Sequence, residues 1–87
     1  MSDEFIERIR KVIANSQKLP IEKVTLDSTF QELGIDSMDA VNILFGLESE
    51  FDINIPDEET KEIRTVRQMA EGVEKLVAAK AGSAPSQ

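Results

Sequence analysis

The apolar spacing from Met38 to Phe51 constrains the fold most, because it follows a helical repeat that no proline interrupts. Asp36 is a good helix N-cap, and Gly34 can supply a left-handed backbone in the turn before it. The sequence therefore predicts a helix from about Ser37 to Phe51, with the Ser37 hydroxyl in its first turn facing solvent. Free N–H groups and partial positive charge at a helix start favour a phosphate attached there. The plainer interpretation is that Ser37 only caps the helix.

This helix carries two apolar stripes when its residues are placed about 100° apart. The first is the predicted core face: Ala40, Ile43, Leu44, Leu47 and Phe51. The second, which we call the apolar stripe, consists of Met38, Val41 and Phe45, and acids border it. One face is enough for a core, so the apolar stripe predicts a docking surface for basic partners. The alternative is that another helix buries this stripe as well.

The first helix is predicted over residues 3–16, and Leu19-Pro20 prevents it from continuing. Residues 17–36 form a long connection, in which residues 27–32 can make a capped helical turn that Gly34 ends. A connection of this length must pack against the core through its own apolar side chains.

Two more helices are predicted after the central one. A short third helix has Pro56 at its first position and runs to about Ile63. The last helix begins at the capping box Thr65-x-x-Gln68. We expect one folded domain over residues 1–80, followed by a disordered polar tail over residues 81–87.

These elements predict an all-α fold: a small four-helix bundle with a long first connection and a short third helix. Residues 24–26 could be an extended strand, but no partner strand is evident. Gly46 inside the central helix costs about 1 kcal/mol relative to alanine, so it indicates either close helix packing or tolerance of a poor helix former.

The acidity of the chain is concentrated in its middle third. The net charge is −7 overall, but it is zero over residues 1–29, −9 over residues 30–62 and +2 over residues 63–87. Lys61 is the one base of the middle segment. This distribution disfavours nucleic acid or anionic membranes as partners and favours proteins with basic patches. A solvated acidic face that only aids solubility is the alternative.

Composition excludes several kinds of active site. The chain has neither cysteine nor histidine, so disulfides, thiol nucleophiles, histidine-based triads and histidine-bearing zinc sites are absent. An EF-hand loop starting at Asp39 fails because Val41 and Ile43 stand where oxygen ligands are needed. We therefore expect no catalytic residues and no metal. The acidic N-terminus and the lack of a long apolar run predict a cytoplasmic protein without a signal peptide.

At this point the sequence resembles the acyl carrier protein family, in particular the discrete carriers of bacterial type. Gly34-Ile35-Asp36-Ser37-Met38 looks like the family's G-x-D-S-L/M motif. The similarity continues through residues 47–51, through Ile55-Pro56-Asp57-Glu58-Glu59 and to Thr65-Val66, and covers about residues 3–80.

The resemblance implies a cofactor and a function. Ser37 would receive 4′-phosphopantetheine from coenzyme A through a phosphopantetheinyl transferase, and the terminal thiol would hold acyl groups as thioesters. The carrier, itself no enzyme and expected to be a monomer, would present them to synthases, transferases and reductases of fatty acid, related lipid or polyketide synthesis. The runner-up is a discrete peptidyl or aryl carrier of nonribosomal synthesis.

The resemblance also implies roles for individual residues. Asp36 would contact the modifying enzyme. The positions matched to partner contacts are Met38, Asp39, Val41, Phe45, Glu48, Asp57 and Glu58. The positions matched to the acyl cavity are Leu47, Phe51, Ile55 and Ile63. Thr60 departs from the family pattern near that cavity, and Asn42, Ser49 and Asn54 replace acids, which suggests a specialised carrier.

Overall fold

The computed structural model describes residues 2–83, with four α-helices joined by links of very different length. The helices are α1 (Asp3–Gln17), α2 (Ser37–Phe51), α3 (Asp57–Thr60) and α4 (Val66–Ser83). A 3₁₀ helix, Ile21–Lys23, lies in the first connection. The expected all-α bundle with a long first connection and a short third helix is thereby confirmed.

Local capping chemistry sets the starts of the long helices. The Ser2 hydroxyl accepts a hydrogen bond from the Phe5 N–H at 3.1 Å and caps α1. At the start of α4, the Thr65 hydroxyl accepts from the Gln68 N–H, and the Gln68 side chain accepts from the Thr65 N–H, both at 3.2 Å. This reciprocal pair is the predicted capping box.

The third helix is shorter than predicted. Pro56 has an extended backbone (φ −66°, ψ 145°) and is the N-cap of α3 rather than its first helical residue. The helix ends at Thr60, and the Ile63 N–H donates to the Thr60 carbonyl at 3.3 Å in a separate turn. The prediction that α3 runs to about Ile63 is wrong, because the chain must leave the helix to bring Arg64 beside the first connection.

Helix α4 continues past the predicted domain boundary at residue 80 and runs to Ser83. The remainder of the predicted tail, residues 84–87, lies outside the described residues. In the described part of the chain, no helix is long and apolar enough to cross a membrane.

The first connection is held at both of its ends. The Arg10 guanidinium donates hydrogen bonds to the carbonyls of Val24 and Ile21, which fixes the unpredicted 3₁₀ helix on α1. Further on, Thr29 and Glu32 exchange backbone-to-side-chain bonds of 2.9 and 3.0 Å and cap the predicted turn.

The turn after this cap ends at Gly34, which has φ +72°. A Cβ at this position would meet nothing within 4 Å, so the left-handed backbone, rather than lack of space, favours glycine here.

The connection is also tied to the segment before α4. Thr29 and Thr65 form an isolated antiparallel bridge. The Phe30 N–H donates to the Arg64 carbonyl at 2.9 Å, and the Val66 N–H donates to the Ser28 carbonyl at 3.1 Å. Residues 24–26, which we considered as a strand, do not form one, although the Leu26 carbonyl accepts from the Arg67 N–H at 2.9 Å.

The core lies between α1, α2, α4 and the first connection. Its largest fully buried side chains are Ile9, Ile13, Val24, Ile43, Leu47, Val66 and Met69. Helices α1 and α2 approach closely at Gly46, where an added Cβ would lie 3.0 Å from Cγ1 of Val12. Of the two interpretations of Gly46, close packing is therefore the one confirmed.

An aromatic and ionic cluster joins the start of α1 to the end of α2. The Phe5 and Phe51 rings lie 5.1 Å apart, and the Arg8 guanidinium carbon lies 4.3 Å from the Phe51 ring centre. Arg8 also donates to the Glu50 carboxylate at 2.8 Å and to the Glu50 carbonyl at 3.0 Å. Phe51 is thus engaged at the end of α2 remote from Ser37.

Helix α2 ends at Phe51, and its C-cap, Asp52, has a left-handed backbone (φ 54°) and contacts α4. The Lys80 ammonium donates to the Asp52 carboxylate at 2.7 Å. This hydrogen bond, reinforced by coulombic attraction, lowers the pKa of Asp52 below its ordinary value of 3.8. A lowered pKa in the folded state stabilises the fold above the unfolded-state pKa, and that stability is lost as pH falls through the folded-state pKa.

We therefore expect Asp52→Asn to lower the denaturant midpoint slightly near neutral pH and not at all once the pH is well below 3.8. Asparagine tolerates the left-handed backbone, so the substitution removes the titrating charge and little else. Urea unfolding of both proteins across this pH range measures the effect. A midpoint difference that persists undiminished at low pH would contradict the assignment.

Candidate functional site

The start of α2 places Ser37 in the open. Asp36 is the N-cap, and its carboxylate accepts from the Asp39 N–H at 2.9 Å. The Asp39 carboxylate in turn accepts from the Asp36 N–H at 3.4 Å, completing a capping box that we did not predict. The Ser37 side chain is exposed, and within residues 2–83 its hydroxyl has no hydrogen-bond partner. Capping is therefore done by Asp36, and the hydroxyl of Ser37 is available for chemistry.

Ser37 borders a groove of about 620 Å³. Helix α2 contributes Ser37, Ala40, Val41 and Leu44 to its lining, and the first connection contributes Phe30 and Ile35. The end of α3 and the segment after it contribute Thr60, Lys61, Ile63 and Arg64. The lining thus combines apolar side chains with polar and charged ones.

The groove is lined mostly by residues other than those expected for the acyl cavity. Of the four predicted, Ile63 lines the groove and Leu47, Phe51 and Ile55 do not. Leu47 is fully buried in the core, and Phe51 packs on Phe5 and Arg8. Ile55 is half-buried against the core. Contact of these three with an acyl chain stays a prediction, and the groove suggests Phe30, Ile35, Ala40 and Leu44 instead.

The apolar stripe is on the surface. Met38 is 77% exposed, Phe45 is 62% exposed and Val41 is 47% exposed, whereas Ile43 and Leu47 on the core face are fully buried. The helical-wheel prediction that separates the two faces of α2 is confirmed, and the alternative that the stripe is core is excluded.

Two of the predicted docking acids have structural contacts of their own. Asp39 completes the N-terminal box and also accepts from the Gln17 amide at 3.5 Å. The Glu48 carboxylate accepts from the Ile55 N–H at 2.8 Å and holds the link before α3. The Glu58 side chain is exposed, as docking requires. The Asp57 side chain lies outside what the structure describes.

Comparison with known proteins supports the interpretation of residues 34–38 as an attachment motif. Residues 7–73 match the family described as a phosphopantetheine attachment site. The fold is similar to the crystal structure of an acyl carrier protein from Thermotoga maritima, with a TM-score of 0.77 and 30% identity, over 87% of this chain and 89% of that one.

Curated relatives point the same way. The chain is 42% identical over 78 residues to the chloroplastic acyl carrier protein 5 of Arabidopsis thaliana, and 41% identical over 78 residues to a chloroplastic acyl carrier protein of Brassica napus. These matches cover 88% of this chain but only 56% and 58% of the two relatives. Because those proteins are named chloroplastic, the cytoplasmic location expected from sequence stays a prediction.

The geometry shows an exposed serine that borders a groove, but it does not show which group that serine receives. The relatives indicate the kind of group. An unbonded hydroxyl behind a capping aspartate fits a phosphodiester link to 4′-phosphopantetheine. On the family match over residues 7–73 together with these relatives, the chain belongs to the acyl carrier protein family, whose members are carriers of 4′-phosphopantetheine rather than enzymes.

Proposed function

We propose that Ser37 carries a 4′-phosphopantetheine arm and that the arm holds acyl intermediates as thioesters for enzymes of fatty acid, related lipid or polyketide synthesis. The arm supplies the thiol that the chain lacks. The chain's own residues supply the attachment hydroxyl, the capped helix start and the surface that partners recognise.

The observation that carries this proposal is the position of Ser37. Its exposed hydroxyl stands in the first turn of α2, where N–H groups and the helix dipole favour an attached phosphate. The same residue borders the apolar groove. An acyl chain on the arm can then leave water by lying against Phe30, Ile35 and Leu44, which makes burial of its methylene groups favourable.

Incubation with coenzyme A and a broad phosphopantetheinyl transferase tests the proposal. Intact-mass measurement should show the gain of one phosphopantetheine group, and peptide mapping should locate it to the peptide that contains Ser37. A wild-type protein that stays unmodified would contradict the proposal.

The apolar stripe and the exposed acid Glu58 are the proposed docking surface for the transferase and for acyl-processing enzymes with basic patches. The stripe offers compact apolar anchors beside an acidic segment, an arrangement that combines apolar contact with electrostatic steering. Substitution of Asp39 or Glu48 tests docking less specifically than the sequence indicates, because it also disturbs hydrogen bonds that hold the fold.

We expect Phe45→Ala to slow phosphopantetheine transfer roughly thirtyfold or more, since truncation of a docking anchor costs about 2 kcal/mol or more. Glu58→Lys should slow association, and the wild-type rate should fall as added salt shortens the Debye length. Initial rates from mass spectrometry measure both effects.

Asn42→Ala is the matched control for Phe45→Ala, because Asn42 is also exposed on α2 but lies outside the apolar stripe. It should be modified at the wild-type rate. Equal rates for wild type and the three variants would show that neither the apolar stripe of α2 nor Glu58 of α3 takes part in docking.

A further inference from the structure

Two basic side chains from the segment that follows α3 line the groove. Lys61 is the one base among residues 30–62, and Arg64 follows it by three residues. Both border the groove to which Ser37 contributes, and both are exposed. We refer to Lys61 and Arg64 as the cation pair.

The cation pair has no anionic partner in the described part of the protein. The ion pairs found there use Arg8, Arg67 and Lys80, and neither member of the cation pair donates a side-chain hydrogen bond. Within residues 2–83, the hydrogen bonds of Arg64 are made by its backbone: the carbonyl accepts from the Phe30 N–H, and the N–H donates to the Gln68 side-chain oxygen in α4. One ammonium group and one guanidinium group are therefore available beside the groove.

Ser37 sits next to a carboxylate. Asp36 borders the same groove, and its charge is held at the helix start by the bond to the Asp39 N–H. A phosphodiester on Ser37 would add a second negative charge at this place, in the most acidic third of the chain. Helix N–H groups offset part of that repulsion, and nearby cations can offset the rest.

We infer that the cation pair binds the phosphodiester of the attached arm across the groove. The inference rests on the proposed function, because it needs a modified Ser37. An arginine fork and a lysine ammonium are the side chains best suited to phosphate oxygens. Binding joins the start of α2 to the segment that follows α3, so attachment of the arm stabilises the fold and holds the arm beside the apolar residues of the groove.

The experiment compares apo and holo forms of wild type and of the double variant Lys61→Met, Arg64→Met. The control is Lys11→Met, Lys75→Met, which removes the same charge from exposed positions outside the groove. Intact mass first verifies that each holo protein carries the arm. Thermal unfolding and the ³¹P NMR resonance of the phosphodiester are then recorded at low and high salt.

Modification should raise the melting temperature of wild type and control by about 2–6 °C at low salt, the range for an exposed ion pair in a domain of this size. In the double variant the rise should fall by at least half, and its ³¹P resonance should move from the wild-type position. High salt should shrink the wild-type rise, since both charges are exposed.

An equal rise in melting temperature with an unchanged ³¹P resonance in the double variant would overturn the inference, as would a wild type that modification does not stabilise. The single variants Lys61→Met and Arg64→Gln serve if the double variant unfolds. Failure of wild type to gain the arm at all counts against the proposed function, so the two failures are distinct.

Discussion

Ser37→Ala should abolish the mass gain on treatment with coenzyme A and transferase. The hydroxyl oxygen of Ser37 is the atom to which the phosphate would be joined, and alanine has no atom that could replace it. The fold should survive, because Asp36 rather than Ser37 caps α2 and the Ser37 side chain is exposed. The loss of modification is therefore expected to be complete, with a circular dichroism spectrum and denaturant midpoint close to wild type.

Ser49→Ala is the matched control, since Ser49 is also an exposed serine of α2. It should be modified at the wild-type rate and extent. Modification of the Ser37→Ala protein at any other residue would show that Ser37 is not the attachment site. Residues 34–38 would then serve only to begin and cap α2.

Leu47→Ala should destabilise the protein by about 2–5 kcal/mol, the usual cost of removing a buried leucine side chain from a core. Leu47 is fully buried on the core face of α2. Small domains have about 5–15 kcal/mol of stability in total, so this single substitution removes a large share. Urea midpoints measured by circular dichroism report the change.

Phe45→Ala is the comparison on the same helix, and it should change stability by only about 0.5 kcal/mol because the ring is 62% exposed. The pair thus contrasts one apolar residue that the fold needs with one that it leaves on the surface. If Phe45→Ala lowered the midpoint as much as Leu47→Ala, the apolar stripe would contribute to folding, and its assignment to docking would have to be withdrawn.

Features set by neighbours in sequence were predictable. The N-cap Asp36, the positive φ of Gly34, the Thr65–Gln68 box and the two faces of α2 each depend on residues within one or two helical turns. Ser37 belongs to the same class, because its exposure at the helix start follows from the cap and from the repeat of the helix.

Features that depend on contacts between residues distant in sequence could not be predicted. The 3₁₀ helix depends on Arg10, and the true length of α3 depends on where Arg64 meets the first connection. The lining of the groove combines three segments, so Phe30 and Ile35 could not be assigned to it from helical periodicity. Nothing in the local sequence indicates that the Glu48 carboxylate accepts from the Ile55 N–H, because this hydrogen bond forms only after the chain turns back.

Residues 60–64 of the groove lining belong to a short segment, residues 55–64, that is hydrogen-bonded at both of its ends. At one end the Ile55 N–H is bonded to Glu48, and at the other the Arg64 carbonyl is bonded to Phe30 beside the Thr29–Thr65 bridge. Because both ends are held, the middle of this segment can move outward, but the segment cannot rotate away as a whole. If Ser37 carries acyl cargo as proposed, longer cargo would be accommodated by displacement of residues 56–63, which include α3. Cargo length would then be reported by the amide chemical shifts of this segment while those of the core stay constant.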